Sequence, residues 1–447
     1  MKQLCVGVAK ACVTPPLGTI LYGYPRKRLA TAVGDDLEVI AAALTYGDTK
    51  ALLLSADVCS CSKEMVDRIA AAVEEQTGFP KECMIYNTTH THSGPTTRLS
   101  KSGWGEPDYD FLENILYPQS IKVAVEAVHN LQPAVFGVAT TECEVGINRR
   151  NITADGKVNL GQNPWGVMDK EMTVMSFKSP DMKNNLLNIV HYGCHGTASG
   201  SNFEITRDWP GTMKDVMDRE TGTTTMFIQG PIGECGPRCP NGKTAQSYEV
   251  ARELGYRAGH DALRAWNSIK EWRNVPVTTV CGEVRVPYDA LPAKETVLER
   301  LASIGTEEEL LALREAGDEG APKKLTEYYH LKSILDEYEE GVKSHYVIPQ
   351  CILSIGSVAI VPFPFEMFFY TPLQLRRYSK FQHTLSLSNT NDTRAYLPSQ
   401  DQLCRGGYEV WQFGNFNTYK MVDDADTFLV VENLKLLNEN FQKSQQE

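Results

Sequence analysis

Two histidines, His90 and His92, lie one residue apart in a polar stretch at 87–95. The apolar residues before this stretch predict a β-strand, and the Ser-Gly-Pro that ends it predicts a turn. Because alternate residues of a strand point to the same face, we expect both imidazoles to project together from the strand end. Such a pair can bind a metal ion, or supply one metal ligand and a neighbouring acid–base group. The alternative is that both histidines only bond to the turn.

Four further loops carry polar residues near the ends of predicted strands. His195 follows an apolar strand and lies among small residues at 193–197. Glu366 is the only charged residue between 361 and 368, at the predicted start of a helix. A carboxylate there can cap the helix or bind a metal ion. The other two loops carry three more polar side chains: Arg149, Tyr396 and Tyr408.

These dispersed loops hold the groups that a catalytic zinc site requires. Such a site needs a few nitrogen or oxygen ligands, an open position for water, a nearby base and a cation for the developing oxyanion. Histidines, a carboxylate, tyrosines and an arginine supply them, although composition alone does not bring them together in space. A zinc-dependent hydrolase is therefore a hypothesis that the fold must support.

The order of these motifs resembles the neutral, non-lysosomal ceramidase family, a group of zinc amide hydrolases. Residues 89–95, THTHSGP, resemble the family's most specific signature, and residues 194–197 resemble its second histidine motif. The resemblance continues in the family's order over residues 5–410. The further matching motifs are Ile147-Asn148-Arg149, Arg207-Asp208-Trp209-Pro210-Gly211, Pro364-Phe365-Glu366, and the tyrosines Tyr396 and Tyr408.

The resemblance also implies a role for each site residue. His92 would act as general base and then as general acid, because a histidine beside the metal but free of it can carry the proton of a zinc-activated water. Arg149 and Tyr408 would orient the substrate carbonyl and stabilise the oxyanion. Since tyrosine is an uncommon zinc ligand, a neutral hydrogen-bonding role for Tyr396 is the alternative. The implied zinc ligands are His90, His195, Glu366 and Tyr396.

The sequence departs from the family pattern in two respects. Gly236 stands where the family has its proposed catalytic serine, so a metal-activated water is the expected nucleophile. The neighbouring thiol of Cys235 is the alternative nucleophile. We also expect no counterpart of the family's C-terminal β-sandwich domain or export signal. The resemblance therefore supports the catalytic scaffold better than it supports a lipid substrate.

Interleaved strand and helix patterns predict one mixed α/β (α+β) fold over residues 1–447, a single large mixed-sheet domain. A β-hairpin is predicted at 37–57, a helix at 62–77 and another strand pair at 171–192. No internal repeat is evident. Residues 292–342, rich in Glu, Leu, Lys and Ala, predict an inserted helical hairpin. It would be a lid, an oligomer contact or a solvated excursion.

Composition narrows the classes of partner. The formal net charge of −12 and the absence of a basic run argue against nucleic acid and anionic membranes as main partners. No window is apolar over the roughly 18 residues of a transmembrane helix, so we expect no membrane insertion. The N-terminus lacks a signal-peptide pattern, and the 12 cysteines form no paired metal motif. These features predict reduced thiols and a cytoplasmic protein.

Three functional hypotheses follow. The first is zinc-dependent hydrolysis of an amide-type C–N bond, or of an ester or lactone, in a small-molecule substrate. The second is a true ceramidase that acts on N-acyl sphingoid lipids. The third is a non-catalytic homologue that only binds a metal or a ligand. A homo-oligomer is compatible with the helical insertion.

Overall fold

Three mixed β-sheets form the body of the protein in the computed structural model, which describes residues 2–25, 27–99 and 107–447. The first sheet has the strand order Met84–Thr88, Thr49–Ala56, Glu38–Tyr46, Leu4–Cys12 and Gln132–Pro133. The second has the order Thr225–Gln229, Asn185–Tyr192, Glu171–Lys178 and Val135–Glu142. The third has the order Val277–Pro287, His345–Ile355, Val358–Pro362 and His383–Leu387. The predicted mixed α/β class is confirmed, and three sheets make up the domain.

Each sheet is built by the same order of elements, a structural repeat that was not predicted from the sequence. In each unit, a first strand is followed by a β-hairpin, a helix, a strand parallel to the second hairpin strand, and a final helix. The first helices of the three units are Lys63–Thr77, Asp208–Thr221 and Tyr370–Tyr378. The final helices are Tyr117–His129, Tyr248–Ser268 and Ala425–Ser444.

Successive side chains along each strand point to opposite faces of the sheet. This divides the core into a shared interior and three outer layers. Ile40 points into a central cluster to which all three sheets contribute, and which includes Met175 and Ile360. Its neighbour Val39 faces the opposite way and packs with the helices of the first unit. Buried apolar surface contributes about 25 cal/mol per Å². The shared interior is therefore what holds the three sheets together.

The helix Lys63–Thr77 shows how local sequence sets the bounds of an element. The Ser62 side chain accepts a hydrogen bond from the backbone N–H of Met65 and caps the N-terminus. Gly78 ends the helix with a left-handed φ of 66°. Met65 and Ile69, four residues apart, lie on the buried face. The predicted helix at 62–77 is thereby confirmed.

The predicted insertion lies between the first and second strands of the third sheet, which pair with each other. It contains three helices instead of a hairpin of two: Lys294–Ile304, Glu307–Glu315 and Ala321–Glu340. Gly305, with a φ of 100°, separates the first two helices, and a capping box of Thr306 and Glu309 begins the second. A small apolar cluster of its own forms the interior of this insertion: Val297, Leu331 and Ile334.

Shorter elements connect the three units. Short paired strands are Ile20–Leu21 with Arg28–Leu29, Ala32–Val33 with Glu204–Ile205, Gly146–Asn148 with Cys235–Pro237, Arg150–Ile152 with Val158–Leu160, and Glu366–Met367 with Tyr396–Leu397. Short helical segments are Lys81–Cys83, Tyr109–Phe111, the π-helical Leu112–Leu116, Gln400–Leu403 and Tyr408–Asn415. None of the described helices combines the length and the apolar character needed to cross a bilayer.

The last strands of the three units end against one another. Oδ1 of Asn87 accepts a hydrogen bond from the backbone N–H of Gln229 (2.8 Å), and Nδ2 of Asn87 donates to the carbonyl of Ser388 (2.9 Å). The N–H of Ser388 donates in turn to the carbonyl of Gln229 (3.0 Å). These bonds bring the loops that follow the three strands to one place in the molecule.

Candidate metal centre

Equivalent loops of the three units bring buried polar side chains together. Three or four residues after the second hairpin strand, the first unit has Cys59, the second His195 and the third Glu366. Two residues after the last strand, the first unit has His90 and the third Asn389. Each of these two positions in the repeated unit is thus occupied by side chains of different chemistry in different units.

His90 reaches the site through a left-handed turn and not as part of the strand. The strand ends at Thr88, and His90 has a φ of 61°, a conformation that costs roughly 1–2 kcal/mol for a residue other than glycine. Its backbone N–H donates to the carbonyl of Val58 (3.1 Å), which fixes the turn. The imidazoles of His90 and His92 project together, with ring centroids 4.8 Å apart. The turn, instead of the predicted strand alternation, brings them there.

His90, His195 and Glu366 form a buried group whose ligand atoms all lie within 4.8 Å of one another. Nε2 of His90 is 3.7 Å from Oε1 of Glu366, and Nε2 of His195 is 3.0 Å from Oε2 of Glu366. These are three of the four zinc ligands that the resemblance implies. The structure therefore brings together residues that are widely separated in the chain.

Both histidines present Nε2 to the group because Nδ1 is engaged elsewhere. Nδ1 of His90 lies 2.6 Å from the carbonyl oxygen of Cys59, and Nδ1 of His195 lies 2.9 Å from that of Cys235. A carbonyl can only accept, so the imidazoles donate their Nδ1–H to it. The lone pairs of both Nε2 atoms are then directed at Glu366. Backbone acceptors of this kind fix the tautomer of histidines that bind metals.

The electrostatics of the group also suit a metal ion. Burial raises the pKa of Glu366, but the nearby His90, His195 and Arg149 outweigh it and hold the pKa at about 2. Burial, together with the charge of Arg149, lowers the pKa of His195 to about 4, and burial lowers the pKa of His90 as well. The carboxylate is therefore ionised and the imidazoles neutral at neutral pH. These are the protonation states that metal ligands require.

The donor set fits a zinc ion in its spacing as well as in its chemistry. Ligands bound at 2.0–2.2 Å to a tetrahedral zinc ion lie about 3.3–3.6 Å apart. The separations of 3.0 Å and 3.7 Å around Glu366 bracket this value. Within the described residues, Oε2 of Glu366 is buried and makes no hydrogen bond of acceptable geometry. An ion at this position would supply the partner that this oxygen lacks.

His92 lies at the edge of the group. Its Nε2 is 3.1 Å from Nε2 of His90, and its Nδ1 is buried with no hydrogen-bond partner in the parts of the chain that the structure describes. The ring lies against Gly23, where a Cβ would come within 2.5 Å of it, and packs edge-on with Tyr24. Burial and the nearby His90 lower the pKa of His92 well below its ordinary value. The neutral imidazole can thus accept a proton or bind a metal.

Arg149 connects three other groups of the site. Its Nη2 donates to the hydroxyl oxygen of Tyr396 (2.9 Å), and its Nη1 lies 3.1 Å from Nε2 of His195. Nε donates to Oε1 of Glu409 (2.9 Å). Burial opposes the charge of Arg149, but Tyr396, Glu409 and Glu366 raise its pKa above the ordinary value. A fixed cation is therefore present beside the candidate ligands.

Tyr396 and Tyr408, the two tyrosines predicted to belong to the site, line a small cavity above the candidate ligands. The rings of Tyr396 and Tyr408 have centroids 5.7 Å apart, and Gln412 donates a hydrogen bond to the Tyr408 hydroxyl (3.1 Å). Burial raises the pKa of both phenols, so both are neutral. Among the described residues the cavity has a volume of about 60 Å³. Its lining includes His90, His92, Glu366, Arg98, Arg394, Tyr396, Tyr408 and Gln412.

Glu366 does not begin a helix, which corrects the prediction from the sequence. Residues Glu366–Met367 form a short strand that pairs in parallel with Tyr396–Leu397, and the helix begins only at Tyr370. In this register Glu366 lies directly beside Tyr396. The helix-cap alternative for Glu366 is therefore wrong, because a long-range strand pairing takes the residue out of the helix.

The loop at 233–237 supplies backbone groups and no exposed nucleophile. Gly236 lies where a Cβ would come within 2.6 Å of the Thr244 side chain, so a serine there would require that side chain to move. The Cys235 side chain is fully buried, and the carbonyl of Cys235 accepts the Nδ1–H of His195. The contribution of Cys235 to the site is therefore this carbonyl rather than its thiol.

Two buried residues that contact the site were not predicted from the sequence. Glu409 accepts hydrogen bonds from Arg149 (2.9 Å) and from Nη1 of Arg150 (2.8 Å) and is 1% exposed. Nδ2 of Asn389 lies 2.9 Å from Nδ1 of His90. The consecutive arginines were the available signal for Glu409, since two buried cations require a carboxylate partner.

Comparison with solved structures finds the same fold in neutral ceramidases. A neutral ceramidase from Pseudomonas aeruginosa matches with a TM-score of 0.73 and 15% identity, over 100% of this chain and 75% of that one. A ceramidase complexed with C2 matches with a TM-score of 0.73 and 16% identity, over 98% of this chain and 75% of that one. No protein-family model and no curated protein matches the sequence. The resemblance predicted from the motifs is confirmed at the level of the fold.

Proposed function

We propose that the protein is a metal-dependent hydrolase of amide-type C–N bonds and that its metal is zinc. The observation that carries this proposal is the buried meeting of His90, His195 and Glu366, with their ligand atoms within 4.8 Å of one another. Imidazole and carboxylate are ligands that catalytic zinc commonly has. When bound, the ion would supply Lewis-acid polarisation of water and of the substrate carbonyl.

Tyr396 is the proposed fourth group around the metal. It pairs in register with Glu366, and its hydroxyl oxygen already accepts a hydrogen bond from Arg149. As a ligand it would close one side of the site. In the alternative role, its neutral hydroxyl donates a hydrogen bond to a substrate oxygen. A Tyr396→Phe variant separates these roles, because only loss of a ligand lowers metal affinity.

His92 is the proposed proton carrier. Its neutral imidazole can accept a proton from the attacking water and later donate it to the leaving amine. Its distance of 3.1 Å from Nε2 of His90 supports this role, because both atoms then face the same reacting centre. The same distance would also suit a fourth nitrogen ligand, so the metal content of a His92 variant tests the assignment.

Arg149 and Tyr408 are proposed to recognise the carbonyl of the substrate. Charge develops on that oxygen only as the carbonyl is attacked, so a cation fixed beforehand stabilises the transition state more than the bound substrate. Glu409 holds Arg149 through Nε and leaves its Nη atoms directed at Tyr396 and His195. Tyr408 lines the same cavity and can donate its hydroxyl proton.

The cavity supports a small, polar substrate. Its volume among the described residues is about 60 Å³, and two arginines, Arg98 and Arg394, contribute to its lining. Arg394 is already paired with Asp392 (3.0 Å), so this lining favours a polar amide without specifying its charge. An ester or lactone of the same shape would undergo the same attack. Cleavage of a small soluble amide is therefore the first candidate.

A ceramidase activity is the second candidate, because the solved structures with this fold include a neutral ceramidase and a ceramidase complexed with C2. In that case the scissile amide would belong to an N-acyl sphingoid lipid. The catalytic groups would act as described above, and only the surroundings of the cavity would differ. The substrate panel must therefore include both chemical classes.

The test combines metal analysis with a substrate panel. Purified protein is analysed for bound metals by mass spectrometry and assayed on short N-acyl amino acids, small esters and lactones, and a fluorescent short-chain ceramide. We expect turnover of a soluble amide, loss of turnover with a chelator, and recovery with zinc. Turnover of the ceramide alone would establish the second candidate. A protein that stays inert on every substrate after zinc is supplied would instead be a non-catalytic homologue.

A further inference from the structure

Three cysteines that belong to no predicted motif meet where the first and third sheets adjoin. Cys281 and Cys351 lie directly opposite each other on the antiparallel strands Val277–Pro287 and His345–Ile355. Cys83 ends the short helical turn before the last strand of the first sheet. Cross-strand partners project to the same face of a sheet, so the two strand thiols point together and Cys83 completes a triangle.

The three sulfur atoms have the spacing of ligands around a single ion. All three lie within 4.8 Å of one another, and the Sγ atoms of Cys83 and Cys281 are 3.9 Å apart. Sulfur ligands bound at about 2.3 Å to a tetrahedral zinc ion lie about 3.8 Å apart. Small side-chain rotations would therefore suffice to seat an ion between them.

We propose that Cys83, Cys281 and Cys351 form a second metal site, which binds a thiophilic ion of the zinc class. Thiolates are soft ligands that favour zinc over calcium or magnesium. Binding forms three metal–sulfur bonds and releases the three thiol protons to solvent, so no oxidant or reductant is needed. The site shares no residue with the group formed by His90, His195 and Glu366.

The hydrogen bonds among the three thiols favour ionisation of Cys83 over the other two, because the same contacts raise the pKa of Cys351 and burial helps raise that of Cys281 to about 12. The thiols of Cys281 and Cys351 donate to the sulfur of Cys83, which lowers the pKa of Cys83 against the effect of burial. Lys443, which donates to the carbonyl of Thr279 (3.1 Å), contributes a positive charge nearby and also lowers this pKa. The three thiols therefore titrate as one coupled group, and the spacing of their sulfur atoms is what supports the site.

An ion can reach the three thiols from solvent. Cys281 is exposed, Cys83 is partly buried and Cys351 is buried, so the cluster extends from the surface into the protein. Both Cys281 and Cys351 line a cleft of about 530 Å³. Because three cysteines supply only three ligands, the fourth position of a tetrahedral ion is left for water or a small solute. The ion would also join two sheets across their boundary, so it should stabilise the fold.

Cobalt(II) tests this proposal because thiolate ligands give it an intense near-ultraviolet charge-transfer band that nitrogen and oxygen ligands do not give. The full-length protein, reduced and freed of metals, is titrated with Co²⁺. Because the candidate metal centre can also bind the ion, we expect the thiolate band to reach its final intensity within two equivalents and to disappear when Zn²⁺ is added. Absence of the band, or a Cys83–Cys281 disulfide that persists after reduction, would overturn the proposal.

Substitutions identify the cysteines that give rise to the thiolate band. Cys281→Ser changes an exposed position and is expected to abolish the band without loss of fold, checked by circular dichroism. Cys83→Ser should abolish the band independently. Cys404→Ser, at another exposed cysteine, and His195→Ala, in the candidate metal centre, should both retain the band. Survival of the band in both Cys281→Ser and Cys83→Ser would show that the three cysteines are not the ligands.

Discussion

The Asn389 side chain contacts His90 across the boundary between the first and third units. Nδ2 of Asn389 lies 2.9 Å from Nδ1 of His90. Both residues stand two positions beyond the last strand of their units, and both have left-handed backbones, with φ of 49° and 61°. The same strained turn therefore carries a candidate metal ligand in one unit and a side chain that contacts this ligand in another. Strain of this kind concentrates at functional sites.

Substitution of Asn389 separates its backbone role from its side-chain role. Asn389→Gly keeps the left-handed turn and removes the amide, whereas Asn389→Ala also adds a steric penalty of about 1–2 kcal/mol. We expect both variants to lower metal affinity by roughly 10–100-fold, as losses around a ligating histidine do. Only Asn389→Ala should also have a lower free energy of unfolding, because alanine is strained in the left-handed turn. Urea denaturation and metal competition titrations measure the two effects, and equal stability of the variants would show that the turn is unstrained.

His195 and His92 should respond differently to truncation. In His195→Ala the site loses one of the three converging ligands, so bound zinc should be lost together with turnover. In His92→Ala zinc should stay near the wild-type stoichiometry while kcat falls by roughly 10²–10⁴-fold, the range of general acid–base catalysis. Metal analysis and initial rates on the same preparations decide this. Loss of zinc from His92→Ala would make His92 a ligand and overturn the division of roles.

Local sequence was sufficient to predict most helices and strands and to identify the candidate ligands. The hairpin at 37–57 follows from alternating apolar runs, and the helix Lys63–Thr77 follows from Ser62 and Gly78 at its ends. His90 and His195 were found because polar side chains at strand ends are out of keeping with the apolar residues before them. These signals are contained within a few residues, so they can be read without the fold.

Long-range contacts explain what the sequence did not predict. Glu366 seemed to begin a helix, but it pairs with Tyr396 from a separate part of the chain. The repeated unit was missed because its equivalent positions carry different side chains: Cys59 and Glu366, for example, follow matching strands. Asn389 has no local signature either, since its importance comes from a neighbour in another unit. Spatial equivalence does not require similar residues, and so it leaves no periodic signal.

A buried ion cluster between the first two units predicts a pH-dependent stability. Glu38 accepts from Arg207 (3.1 Å) and lies 3.5 Å from Lys214 and 3.2 Å from Lys10. Burial raises the pKa of Glu38, but these cations outweigh it and hold the pKa at about 2, below the ordinary 4.5. The folded state therefore binds the proton less readily than the unfolded state. The stabilisation is present above pH 4.5 and is lost as the pH falls towards 2.

Glu38→Gln should consequently destabilise the protein at neutral pH, by up to about 3 kcal/mol. The difference in unfolding free energy between wild type and variant should shrink as the pH is lowered from 5 to 3, where the wild-type carboxylate loses its advantage. Urea denaturation at three pH values measures this difference. Glu75→Gln, at an exposed position, serves as the control and should change little at any pH. A difference independent of pH would assign the loss to packing instead of charge.

Arg149 and Arg150 offer a matched pair for testing the proposed oxyanion role. Both are buried and both bond to Glu409, but of the two only Arg149 also contacts Tyr396 and His195. Each substitution by lysine keeps the charge and loses hydrogen bonds of the guanidinium, so both should cost about 1.5–3 kcal/mol of stability. Arg149→Lys should in addition lower kcat by roughly 10²–10³-fold, as removal of an oxyanion donor does. Zinc content should be unchanged in both variants. If rates at saturating substrate fell equally in the two variants, Arg149 would act only through the stability that it shares with Arg150.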